Sequence, residues 1–143
     1  MEDIRTVSQV MNSNVSTLDV SGTVRDVMQI MTEKSVGCVV ITNDSKPVGI
    51  VTERDVMRAM MGEAEVLSRR VVDVMVHPLT SVPPETPVVQ ALQLMRSKNI
   101  RRLPVVSNEK LHGIVTVHRD LLYWALTALR GKRAIDPSER NSV

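Results

Sequence analysis

Slid along itself by 64 residues, this 143-residue chain matches itself, and an internal duplication restricts the possible folds more than any other feature. Val10-Met11 falls on Val74-Met75, Val24 on Val88, Met31 on Met95, Lys34 on Lys98 and Lys46 on Lys110. Four consecutive residues, Gly49-Ile50-Val51-Thr52, then fall on Gly113-Ile114-Val115-Thr116. The register holds without a gap from Val7 to Thr52. The chain is therefore read as repeat 1 at 7–62, a linker at 63–70, repeat 2 at 71–131 and a polar tail at 132–143.

Each copy carries the same signals. A short extended piece (Val15 to Leu18; Leu79 to Val82) precedes a helix with apolar residues at i, i+3, i+4 and i+7. These are Val24, Val27, Met28 and Met31 in one copy and Val88, Ala91, Leu92 and Met95 in the other. Thr86 followed by Pro87 suits an N-cap and first-turn pair. A β-branched strand follows (Val36 to Thr42; Ile100 to Val106), then a polar turn and a second strand holding the GIVT run. A closing helix is expected at about Glu53 to Met61, before Gly62, and at about Arg119 to Arg130, before Gly131. The class is α/β (α+β): two tandem β-α-β-β-α repeats, each with a modest core, packed as a pseudo-two-fold pair.

Composition removes several functions. The chain has no Phe, one Trp and one Tyr against nine Met, so no aromatic platform exists for stacking bases. Its net charge is only +2, and Arg69-Arg70 and Arg101-Arg102 are ordinary surface pairs, so nucleic acid is not an expected partner. The acidic start and the short apolar run at Leu121 to Leu126 exclude a signal peptide and a membrane span from the reading, which leaves a cytoplasmic protein without membrane contact. A single cysteine, Cys38, fits a reducing compartment and reads as a small buried hydrophobe. The three histidines stand apart, so no metal site is expected. Nothing pairs a nucleophile with a base, and the chain is not read as an enzyme.

The densest signal closes each repeat: GIVTERD (Gly49 to Asp55) and GIVTVHRD (Gly113 to Asp120). A strand ends at Thr, a helix begins, and an Asp stands in its first turn. Thr52 with Asp55 three residues on fits a capping box. The same geometry fits a nucleotide, because a helix N-terminus offers N–H groups to phosphate and a nearby carboxylate accepts ribose hydroxyls. Spacing alone leaves both open.

Two tandem units with Val-x-x-Val-Met near the start, a strand such as Ile100 to Val106, and GIVT before an Asp resemble cystathionine β-synthase (CBS) domains. The resemblance runs from about Val7 to Arg130, and the pair is similar to a Bateman module. It implies a regulatory module that takes adenosine-containing ligands (AMP, ADP, ATP or S-adenosylmethionine) in two clefts between the repeats and acts on a partner protein. No other cofactor is implied. It also implies association of two pairs into a homodimer. Carried over, Thr52 and Asp55 would hold phosphate and ribose in the first cleft, with adenine against Leu79, Thr80, Ile100 and Arg101. In the second cleft, Thr116 and Asp120 would face Val15, Ser16, Val36 and Gly37.

The second motif departs from this pattern. Its Thr and Asp are four residues apart, and one residue turns a helix by about 100°, so Asp120 should point elsewhere unless the strand runs on through Val117. Arg101 and Arg102 stand where the first repeat has Gly37 and Cys38, which favours the Asp55 cleft for phosphate, unless the pair is only a solvated strand edge. The stripe Leu121, Leu122, Ala125, Leu126 and Leu129 is wide enough to serve a second chain as well as the internal core. A ligand-independent dimerisation or docking scaffold is the alternative function; it would purify empty.

Overall fold

Two turns fix the two hairpins. Asp44 and Ser45 (φ 54° and 67°), and again Asn108 and Glu109 (φ 52° and 62°), both take positive φ, the signature of a two-residue turn whose twist matches its strands. The computed structural model describes residues 5–62 and 65–118. Around the first turn run β2 (Cys38–Asn43) and β3 (Lys46–Thr52), antiparallel; around the second run β4 (Arg102–Ser107) and β5 (Lys110–Thr116). The short β1 (Thr17–Asp19) pairs parallel with β2, giving the order β1-β2-β3. The crossover between β1 and β2 is α2 (Val24–Lys34), and its counterpart is α4 (Val88–Lys98). Both end on a left-handed residue, Ser35 and Asn99, one repeat apart. After β3 comes α3 (Glu53–Gly62). The fold is mixed α/β, and both repeats show the order helix, strand, strand among the described residues.

The repeats differ in two places. The extended piece expected at Leu79 to Val82 is reduced to one parallel bridge, Val82 with Val105. The start of α4 also differs from the Thr86 cap expected for it, because Pro87 holds the N-cap position. The physical reason is the residue itself: position 87 is proline where the first repeat has the capping Thr23, and proline has no side-chain acceptor. The Val88 N–H donates to the Arg5 carbonyl (2.8 Å), and the Thr86 carbonyl accepts from the Val7 N–H (2.8 Å). An incoming backbone segment thus meets the first orphan donor of α4.

That segment belongs to a reciprocal exchange. The described residues form two compact units that cut across the sequence repeats: residues 5–13, 81–107 and 112–118 make one, residues 14–62, 65–80 and 108–111 the other. The leader Arg5 to Asn12, which includes the four-residue α1 (Val7–Val10), therefore lies in the unit of the second repeat. The leader Arg69 to Val76 lies in the unit of the first. The second leader repeats these bonds of the first. The Val24 N–H donates to the Arg69 carbonyl (3.0 Å), and the Val71 N–H donates to the Gly22 carbonyl (2.9 Å). Asn12 exchanges both backbone hydrogen bonds with Ile114 (2.8 and 2.9 Å), and Val76 exchanges both with Ile50 (2.9 and 3.1 Å).

Each leader also plugs a core. Val7 and Val71 are fully buried, the first among Val82, Val88, Ala91, Met95, Leu103, Val105 and Val115, the second among Val24, Val27, Val39, Ile41, Val51, Val56 and Val66. Burying a valine contributes about 1.5–3 kcal/mol, so each leader is a substantial part of a small aliphatic core. Part of the stretch expected as linker is packed: Val66, in a 3-10 turn, stands in that second core.

Candidate functional site: the end of β3 and the start of α3

β3 delivers Thr52 to the start of α3, and the hairpin sets what stands beside it. The turn at residues 43–46 and the register shift after Ile41 place Cys38 opposite Thr52. The Gly37 carbonyl then accepts the Glu53 N–H, the first orphan donor of α3 (3.1 Å). Asp55 reaches back to Thr52: its Oδ2 accepts from the Thr52 backbone N–H (2.8 Å) and from Thr52 Oγ1 (2.9 Å). The Asp55 N–H in turn points at Thr52 Oγ1 (3.4 Å). This half-buried arrangement is a capping box. Asp55 Oδ1 accepts no hydrogen bond among the described residues.

The same box stands at the start of α2, where Asp26 Oδ2 accepts from the Thr23 N–H (2.9 Å) and from Thr23 Oγ1 (3.2 Å). Capping alone therefore accounts for the Thr-x-x-Asp spacing. What distinguishes the second box is its place, at a strand end, with Cys38 across the ladder from Thr52 and the Gly37 carbonyl on the first N–H of the helix. Glu53 and Asp55 put two carboxylates on the first turn of α3. They offset the helix dipole there, so this N-terminus suits a hydroxyl donor better than a phosphate.

Of the other residues singled out from the sequence, Val15, Ser16, Val36, Gly37, Leu79 and Thr80 fall in the same compact unit as Thr52 and Asp55. Ser16 is buried, and its carbonyl accepts the Val40 N–H (3.0 Å). Val36 donates its N–H to Met31 (3.1 Å). Leu79 and Thr80 are half-buried. Ile100, Arg101 and Thr116 belong to the other unit. There the Val117 N–H donates to the Arg101 carbonyl (2.9 Å), one repeat on from the Glu53–Gly37 bond. Arg101 also turns a guanidinium N–H to the Val117 carbonyl (3.5 Å).

The residue after each Thr is thus tied to the strand start of its own repeat: Glu53 to Gly37, Val117 to Arg101. The two-residue turn was the signal for the observed pairing, since it dictates which residue ends up opposite Thr52. The extra residue of the second motif is accommodated in Val117 and His118, which belong to neither strand nor helix. Asp120 lies outside the described residues, as do the closing stripe from Leu121 and the tail.

Among the described residues no group of His, Cys, Asp and Glu could hold a metal ion, and no helix is long and apolar enough to cross a membrane. Cys38 is buried. On α3, Met57, Met60 and Met61 form one exposed apolar face, with Met61 at 89 % exposure.

The sequence model of the CBS domain matches residues 7–62 and 71–119, and the chain belongs to that family as a tandem pair. An uncharacterised protein of Methanopyrus kandleri is 38 % identical over 122 residues, covering 81 % of this chain and 60 % of that protein. The chain thus spans about three fifths of that relative's length. Among solved structures, a CBS domain protein from Pyrobaculum aerophilum complexed with AMP is 26 % identical with a TM-score of 0.77, over 86 % of this chain and 99 % of that one. A hexameric CBS-CP12 protein from bloom-forming cyanobacteria is 31 % identical with a TM-score of 0.78, over 91 % of this chain and 73 % of that one.

Proposed function

We propose that the chain is a regulatory module that binds an adenosine-containing ligand, with Thr52 and Asp55 as the ribose-binding end of the site. The observation that carries this reading is Asp55: one carboxylate oxygen is held by Thr52, and the other accepts nothing among the described residues. A fixed carboxylate with an open oxygen is what a ribose diol needs as acceptor. The Gly37 carbonyl, which accepts the Glu53 N–H, holds the start of α3 beside the motif. Val15, Ser16, Val36, Leu79 and Thr80 share its compact unit and are the candidates for contact with adenine. The AMP complex of the Pyrobaculum relative supports AMP as the first ligand to try. Thr116 and Asp120, with Ile100 and Arg101, form the candidate second site.

The module acts on a partner protein and works as a homodimer. The hexameric cyanobacterial relative supports self-association, and the exposed Met57, Met60 and Met61 are the face a second copy would cover. Light scattering that returns a stable monomer at micromolar concentration would remove the dimer.

Mass spectrometry of small molecules released from the purified, denatured protein, followed by thermal melts, tests the ligand. AMP at about 100 times its dissociation constant should add roughly 2.7 kcal/mol, a rise of several degrees, with GMP and CMP adding less. A protein that purifies empty and melts alike with every nucleotide is a scaffold.

A further inference from the structure

We infer that Gly49 and Met75 are positioning residues for the Thr52–Asp55 site; this rests on the reading of that site as the ligand site. Gly49 lies on β3 three residues before Thr52, beside the shift in ladder register that follows Ile41. On its other side runs the leader of the second repeat. A Cβ at position 49 would stand 2.6 Å from Met75 Sδ, 3.2 Å from Met75 Cγ and 3.0 Å from the Val76 carbonyl oxygen. The sulfur can swing away; the carbonyl cannot do so freely, because it accepts the Ile50 N–H (3.1 Å).

The absence of a side chain at Gly49 is therefore what allows Met75 to lie over β3 and Val76 to clasp Ile50. β3 is then held from both edges, by β2 and by the leader, just before it delivers Thr52. With the leader pushed off, β3 keeps only the edge that already contains the register shift. Thr52, the Glu53–Gly37 bond and the first turn of α3 then lose their fixed place. The device is duplicated: a Cβ on Gly113 would stand 2.6 Å from Met11 Sδ and 2.8 Å from the Asn12 carbonyl oxygen, in the other compact unit. This second lock supplies a control of the same chemistry away from Thr52.

The experiment is calorimetric titration with AMP, with a thermal melt of each protein. The event to follow is the binding that Asp55→Ala removes. Gly49→Ala should weaken it about tenfold, the scale set by overpacking with one methyl group. Gly113→Ala should lower the melting temperature comparably and leave that event unchanged. Should Gly49→Ala fail to fold, Met75→Ala and Met11→Ala repeat the comparison without adding an atom, and only Met75→Ala should weaken the event, by severalfold. Equal affinity in Gly49→Ala and the parent, or equal weakening by the variants of both locks, overturns the inference and leaves the ligand site standing. No AMP binding to the parent overturns the ligand reading itself, and this inference with it.

Discussion

Asp55→Ala and Asp26→Ala remove the same carboxylate from two capping boxes with the same hydrogen-bond pattern, and only one box is assigned a ligand. In each, one Oδ2 accepts a backbone N–H and a threonine hydroxyl, at 2.8 and 2.9 Å for Asp55 and at 2.9 and 3.2 Å for Asp26. Loss of such a cap costs about 1 kcal/mol, so each variant should melt roughly 4 °C below the parent and still fold. Binding should separate them. Asp55 Oδ1 is open for at least one ribose hydroxyl, and a hydrogen bond to a charged group contributes about 1.5–3 kcal/mol. Asp55→Ala should then bind AMP roughly 10- to 100-fold more weakly, while Asp26→Ala binds as the parent does. Calorimetry on the three proteins, with melts to confirm equal stability loss, decides the matter. If Asp55→Ala loses stability as Asp26→Ala does yet keeps full affinity, Asp55 is a helix cap and the ribose assignment is wrong.

Further expectations follow from the fold. A fragment of residues 14–80 keeps the Val76 clasp on Ile50 and the buried Val71, and should unfold cooperatively by circular dichroism; a fragment of 7–62 lacks both and should not. A cooperative melt of 7–62 equal to that of 14–80 would show the leaders to be dispensable. Ser45→Gly removes a side chain from a positive-φ position and should stabilise the chain by about 0.5–1 kcal/mol, read by urea denaturation. The Ser21 hydroxyl and then its N–H hold the exposed Asp19 carboxyl below the ordinary carboxylate range. The stability this contributes is present above the unfolded value, about 3.9, and is lost as pH falls through the lowered folded value. Ser21→Ala should move the Asp19 titration, followed by NMR, upward; an unchanged midpoint would refute the assigned cause.

Local rules made much of the molecule legible before any coordinate. The apolar spacing of Val24, Val27, Met28 and Met31 marks α2, the same spacing one repeat later marks α4, and the polar pairs Asp44-Ser45 and Asn108-Glu109 mark the hairpins. These depend on neighbours within four residues, so periodicity and turn chemistry are enough. Thr52 and Asp55 were legible for the same reason, a contact three residues long. The partner of Thr52 across the ladder was not assigned, because it required the hairpin register as well as the motif.

The leaders lay beyond any such rule. Val7 to Asn12 and Val71 to Val76 carry the same pattern, and each faces two repeats with the same pattern of hydrogen-bonding partners: an N–H at a helix N-terminus, a carbonyl two residues before it, and an isoleucine after a glycine. The duplication that reveals the fold makes docking at home and docking on the other repeat indistinguishable in sequence. Tertiary structure resolves the tie through contacts between segments far apart in the chain, Met11 on Gly113 and Met75 on Gly49. The sequence determined what each unit is made of; the folded chain decided which leader completes it, because both choices satisfy every local rule and only the path of the whole backbone distinguishes them.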